Sequence, residues 1–450
     1  MNNLCLATNY LLMTESTRRM WIDLGRHLEE FGSRLVLVST TVPETPFPFP
    51  VIPIPFLLRD YAEMFPRAGG PGGNVSAGDM EFLRTDSIRS NHAYQSGEAL
   101  QGMFACRELL TTLLDTLQPG YVLTFDPTLP SAQMLQSLAR ASGLPVQDID
   151  RGLLPETLMI ESRNLQGHSD LRTHWLAQEM PSSAFDPVAY ERIRSYYVSR
   201  KPQKYEQPEF GGGCKILRQS LGLEGKRVIV FLGHYDACGL APKNSNQRRY
   251  NSPFFDSTAD ALTAVADILP RNRGVAVVFK PHPLDADSYA VAKVQGVHIV
   301  RDMNVHALIE MADVVATQFT TLQFEAALYE KPVVLLGHSA WWGRNATYEL
   351  DALTDVSAAL DAALNRQDWN IRQANAHAFV TWMMDQFLIG CSENVPARRN
   401  LRDFAGFIAR TSLDSRHLAT TEERWQRTQD ALEQLRPAKT APSAAKLFNQ

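Results

Sequence analysis

Val277-Val278-Phe279-Lys280-Pro281-His282-Pro283 decides how this 450-residue chain is read. A run of β-branched and aromatic residues predicts a buried strand. It stops in a cation, a proline, a histidine and a second proline. The prolines end the strand and fix the loop backbone. Lys280 and His282 are therefore expected at the carboxyl end of a strand, where open α/β sheets bind ligands. A rigid pair of donors there suits an anion, a phosphate above all.

Outward from that stretch, further strands are expected at Val228–Leu232, Val297–Val300, Val314–Thr317 and Val333–Leu336, with helical segments between most of them. The N-terminal third repeats the pattern. Leu4-Cys5-Leu6-Ala7 is a short apolar run, and Trp21, Leu24, Leu28 and Phe31 recur at helical spacing after the N-cap candidates Thr14 and Ser16. Gly32 closes that helix and Arg34–Val38 is the next strand. A helix over Ala99–Leu117, a strand at Tyr121–Phe125, a helix over Ala132–Ser142 and a strand at Val146–Ile149 follow. Residues 41–56 are proline-dense and expected to be extended, and Gly69–Gly73 marks a long loop. Gly211-Gly212-Gly213 reads as a hinge.

The fold class expected is α/β, with two facing Rossmann-like domains, a cleft between them and a helical C-terminal extension. The boundaries are 1–210 for an acceptor-side domain, 214–370 for a nucleotide-sugar domain, 371–435 for the extension and 436–450 for a disordered tail.

Composition excludes several classes. The chain is 44% hydrophobic and 21% charged with net charge −5, which carries no nucleic-acid footprint. Its five cysteines are scattered, without a CxxC or Cys/His cluster, so neither a zinc site nor a disulfide framework is expected. No apolar run approaches the roughly 18 residues of a membrane span, and Met1-Asn2-Asn3 lacks the basic start of a signal peptide. A cytoplasmic location is expected, with peripheral contact at the inner face of the membrane left open.

Four segments carry candidate chemistry. The first is Lys280/His282; its bland alternative is a solvated lysine and a histidine packed between prolines. The second runs from Thr317 to Ala326. Thr320 and Thr321 stand where a helix begins, so hydroxyls and unpaired N–H groups suit an anion. Glu325, one turn on, suits the two hydroxyls of a ribose; a plain first-turn glutamate is the alternative. The third, Phe231–Gly239, carries His234 and Asp236 in a glycine-flanked loop. Asp236 there suits a nucleophile or base, or else an Asx turn or helix cap. The fourth, Gln147–Thr157, holds Asp150 for acid/base work and Arg151 as its partner or as a ligand for a substrate carboxylate.

Taken in order, these segments resemble the bacterial retaining β-Kdo transferases, GT-B enzymes that use CMP-β-Kdo to build capsule linkers or terminate O-antigen chains. The resemblance spans about residues 120–345. It rests on Asp150-Arg151-Gly152-Leu153-Leu154-Pro155, on Val230–Asp236, on the His-Pro motif within Phe279–Pro283, on Thr320–Ala326 with Lys331-Pro332, and on Trp341-Trp342-Gly343. It implies a GT-B fold and retaining transfer of Kdo to a saccharide acceptor, with no cofactor beyond the CMP-sugar donor and no metal. Asp236 falls on the family's nucleophile. Asp150 falls where glutamate is usual, and the shorter side chain is a departure. Lys280 and His282 would hold the nucleotide or its phosphate, Thr320 and Thr321 the phosphate, and Glu325 the ribose. Arg151 and His234 would face the substrate. A lipid-linked acceptor fits this implication. Sialyltransferase-like use of CMP-sialic acid, and a nucleotide-sugar-binding subunit without turnover, are the rival readings.

Overall fold

The computed structural model describes residues 3–9, 14–41, 45–66, 68, 75–76, 78–80, 82–83, 97–125, 129–161, 169, 171–172, 186–202, 207–208, 213–236, 251–283, 294–352, 355–412 and 420–436. Gly69–Gly73, Gly211-Gly212, Cys238 and the tail beyond Arg436 lie outside these residues. The described residues form two compact units, one built from those up to Asp150 and from Arg399 on, the other from Arg151 to Arg398.

In the first unit, β1 (Asn3–Asn9), β2 (Ser33–Ser39), β3 (Val51–Pro53), β4 (Tyr121–Phe125) and β5 (Val146–Arg151) pair in the order β3-β2-β1-β4-β5, all parallel. That order is the Rossmann arrangement, reversing direction between β1 and β4. The helix Glu15–Glu30 starts as expected, with the Thr14 side chain accepting from Thr17 N–H. It buries Met20, Trp21, Leu24 and Leu28. Of the proline-dense segment, Val51–Pro53 is extended and supplies β3, at the edge of the sheet, where proline is tolerated, whereas Thr45, Pro48 and Phe49 lie in bends.

The second unit repeats the plan. Here β6 (Thr157–Glu161) lies outside the main sheet, which contains β7 (Arg227–Leu232), β8 (Val275–Lys280), β9 (Val297–Ile299), β10 (Val314–Thr317), β11 (Val333–Leu335) and β12 (Tyr348–Glu349). Their order is β12-β11-β10-β7-β8-β9, again parallel and again reversing, this time between β7 and β10. The antiparallel partner of β6 is β13 (Ile389–Gly390). The near-continuous apolar runs of these strands follow from burial on both faces. Val228, Val230 and Leu232 enter one core cluster, and Ile229 and Phe231 the other. Ala276 and Val278 alternate with Val275, Val277 and Phe279 in the same way.

The domain boundary differs from the expected one. It falls at Asp150–Arg151 rather than at the glycine run, because residues before that run pack into the second unit. Leu153, Met159, Leu171, Ile193 and Tyr197 share a core with Val228, Val230 and Leu232, and Tyr197 OH donates to Pro155 O at 3.0 Å. The expected C-terminal extension also divides. Phe379 and Val380 of the helix Trp369–Trp382 stay in the second unit's core. Leu432 and Leu435 of the helix Thr421–Leu435 join the first. There Arg424 donates to the carbonyls of Leu117 and Gln118 and caps the end of the helix Gly97–Leu117.

Among the described residues no disulfide joins Cys5, Cys106, Cys214 and Cys391, and no helix is long and apolar enough to cross a membrane.

Candidate functional site

The second unit carries a pocket at the carboxyl ends of its parallel strands. Lys280, Pro281, His282 and Pro283 form one wall, Thr320, Thr321, Leu322 and Glu325 another, and Leu232-Gly233 lie between them. Pro202, Gln207, Val305 and His306 complete it.

Lys280 closes β8 on the same face as Ala276 and Val278 and lines the pocket. It is only 7% exposed and donates one hydrogen bond to Arg301 O at 2.9 Å. Burial holds its pKa below the usual lysine value, with Asp302 opposing the shift. An ammonium has two further N–H donors.

His282 is not the cation its place beside Lys280 suggests. Burial pushes its pKa down to about 3, and the neighbouring His234, Arg151 and Lys280 push the same way. At neutral pH it offers one N–H donor and one acceptor in a positive field. Its ring lies 5.9 Å from that of Tyr235 at 22° and 6.4 Å from that of His234. Gly233 holds the loops after β7 and β8 together. Its N–H donates to Lys280 O at 2.8 Å, and a Cβ there would stand 3.2 Å from His282 N.

On the opposite wall Thr321 takes the N-cap place of the helix Leu322–Leu328, without a side-chain cap bond. Thr320 Oγ1 accepts from Leu322 N–H at 3.4 Å. Glu325 is 3% exposed, and its carboxylate lies 3.7 Å from His306 Nε2. His306 is fixed on both nitrogens, against Tyr329 OH at 3.2 Å and Pro202 O at 3.3 Å, and burial lowers its pKa.

Gln207 Oε1 accepts from Val305 N–H at 2.8 Å, and Pro208 O accepts from Asn304 Nδ2 at 3.2 Å. The stretch before the glycine run is thereby tied to the helix Val305–Met311. Sequence reasoning missed His306 and Gln207. The Asn304 cap gave a helix start, but nothing local shows which strand end that helix approaches.

Asp236 follows β7, beside the point where the sheet order reverses. Thr258 N–H donates to both its oxygens, at 3.2 and 3.1 Å, and Thr258 Oγ1 also bonds to it. Asp236 thus sits on the first turn of the helix Thr258–Ala266, the cap arrangement that was weighed against a catalytic one. His234, two residues earlier, packs its ring 4.0 Å from that of Phe319. Thr258 and Gln318, its partner at 2.9 Å, were not singled out from the sequence.

Arg151 is half-buried and acts electrostatically on His282. Asp150, 6% exposed, closes the first unit. The structure thus gathers Lys280, His282, Thr320, Thr321 and Glu325 in one pocket, sets Asp236 and His234 on the adjoining loop, and leaves Asp150 with the other sheet. Behind Arg151, Gly152 is required by a close approach: a Cβ there would lie 1.8 Å from Thr157 Oγ1.

The chain is an α/β protein of two parallel-sheet units, the second with a pocket at its strand ends. No family model and no curated protein matches it. Solved structures similar to it include the KpsC β-Kdo 2,7 transferase of Thermosulfurimonas dismutans. That one is 17% identical over 53% of this chain and 75% of that one, with a TM-score of 0.33. A putative UDP-N-acetylglucosamine 2-epimerase of Listeria monocytogenes is 13% identical over 92% and 98%, with a TM-score of 0.40. A glycosyltransferase of Rickettsia africae is 10% identical over 91% and 98%, also at 0.40.

Proposed function

We propose that the chain is a retaining glycosyltransferase that moves Kdo from CMP-β-Kdo to a saccharide acceptor of a bacterial surface polysaccharide, O-antigen or capsule. The observation that carries this reading is the convergence of Lys280, His282, Thr320, Thr321 and Glu325 on one pocket at the carboxyl ends of a Rossmann-ordered sheet. Lys280 supplies the positive charge for the leaving phosphate. His282, neutral, supplies directed hydrogen bonding. Glu325, held beside His306, takes the ribose hydroxyls.

In the proposed chemistry an Asp236 oxygen attacks the anomeric carbon of Kdo, the bond from that carbon to the phosphate oxygen breaks, and CMP leaves. The acceptor hydroxyl then displaces Asp236 and gives its proton to Asp150. Two inversions retain the configuration. Arg151 is assigned to the Kdo carboxylate and His234 to the sugar.

The test is a donor screen with CMP-Kdo, CMP-sialic acid and UDP-sugars, reading nucleotide release and product linkage by NMR. Intact-mass spectrometry of the protein with CMP-Kdo reads the adduct. Kdo transfer, with a Kdo adduct on Asp236 and a dead Asp236→Ala variant, is expected. Preference for another donor, an adduct elsewhere, or near-parental turnover by Asp236→Ala overturns the reading.

A further inference from the structure

A proton count around Thr258 carries a further assignment. Thr258 Oγ1 approaches three acceptors: an Asp236 oxygen, Gln318 Oε1 at 2.9 Å and His234 O at 3.4 Å. A threonine hydroxyl has one proton. The carboxylate is the strongest of the three acceptors and takes it. Gln318 Oε1 would then face the lone pairs of Oγ1. Meanwhile Gln318 Nε2, in a side chain that is fully buried, meets no acceptor. A buried amide N–H without a partner is costly and calls for an explanation.

Turning the Gln318 amide by half a turn gives its N–H an acceptor in Thr258 Oγ1 and moves the carbonyl oxygen, the less costly group to bury unpaired, to the place of the nitrogen, because the two atoms differ in chemistry and hardly in shape. We infer that Gln318 and Thr258 are positioning residues for Asp236, with Gln318 Nε2–H donating to Thr258 Oγ1 and the Thr258 hydroxyl donating to Asp236. Asp236 follows β7 and Gln318 follows β10, neighbouring strands at the reversal of the sheet order. The chain of donors therefore ties together the two loops that flank this point. With the Thr258 N–H it fixes the orientation of the carboxylate.

The catalytic consequence rests on the proposed role of Asp236; the hydrogen-bond order does not, and two measurements keep them apart. The first uses no substrate. Gln318→Glu keeps the shape but places an acceptor against Thr258 Oγ1, so two carboxylates compete for one proton. Calorimetric melting is expected to fall by several degrees, and most of that loss is expected to disappear in the Asp236→Asn background, where the competition ends. Equal melting of Gln318→Glu and its parent, or an unchanged loss in the Asp236→Asn background, overturns the assignment.

The second measurement is turnover of the CMP-sugar. Thr258→Val is expected to lower kcat by about ten-fold or more with KM nearly unchanged, and Thr258→Ser to restore it. Full turnover by Thr258→Val beside a dead Asp236→Ala variant overturns the positioning role. Turnover by Asp236→Ala instead overturns the reading of Asp236 and leaves the calorimetric result to decide the hydrogen-bond order.

Discussion

Replacing Lys280 with methionine separates what this side chain does for binding from what it does for folding. Lys280 is 7% exposed, and its ammonium makes one internal hydrogen bond, to Arg301 O at 2.9 Å. A charge-assisted contact from its remaining donors to a phosphate is worth about 1.5–3 kcal/mol, so CMP affinity should fall by about 10- to 150-fold.

Stability should respond differently. The folded pKa of Lys280 lies below its unfolded value, chiefly through burial. Wherever the ammonium is protonated, the folded state carries the cost of the desolvated charge. In the parent that cost is relieved as pH rises through the folded pKa toward about 10.4, a gain the variant lacks. Methionine removes the cost but also the bond to Arg301 O, worth about 1 kcal/mol. The two terms oppose, so the melting temperature should stay close to the parent's while binding collapses.

Isothermal calorimetry with CMP at low and high salt, beside a thermal melt, reads both quantities. The parent's affinity should weaken with salt and the variant's much less. Parental affinity in the variant, or a melting loss that accounts for the binding loss, refutes the reasoning.

Two other perturbations test the scaffold and its electrostatics. Gly152→Ala forces a Cβ to 1.8 Å from Thr157 Oγ1, on backbone already tied by the 2.7 Å bond from Gly152 N to Thr157 O. Denaturant unfolding should show a loss of about 1–3 kcal/mol, and an unchanged midpoint would contradict the geometry. His282 has a folded pKa of about 3, below its unfolded value, so the unfolded state binds the extra proton as pH falls through about 6.5. Its contribution is present above that pH and is lost at up to about 1.4 kcal/mol per pH unit below it. His282→Asn should therefore show a shallower fall in melting temperature between neutral and mildly acidic pH; parallel curves would mean that the imidazole titrates normally.

Strand positions were largely legible because parallel strands buried on both faces announce themselves as unbroken apolar runs. Tyr121–Phe125 and Val314–Thr317 were read to the residue, and the strand read from Val277-Val278-Phe279 runs on to Lys280. The pocket's two principal walls were legible for the same reason, since each follows such a run. Partnership across the chain was not. The helix Pro187–Arg200 buries Tyr190, Ile193 and Tyr197, yet its spacing does not say which sheet lies beneath. A glycine run then looked like a better boundary than the strand end at Asp150. Thr258 and Gln318 were invisible for a related reason. Each looks ordinary beside its sequence neighbours, and what distinguishes them is a contact spanning sixty positions.

The tie between Gln207 and Val305 bears on how this chain can be cut and recombined. A fragment starting at the glycine run would retain β7 to β12 but lose Pro202 and Gln207 from the pocket. It would also strip Leu153, Met159 and Tyr197 from the apolar layer over Val228 and Val230. Chimaeras joined at Gly211–Gly213 would split the lining of the pocket between two parents. The compact unit that holds the pocket runs from Arg151 to Arg398, so a transplant of the pocket must carry everything between them.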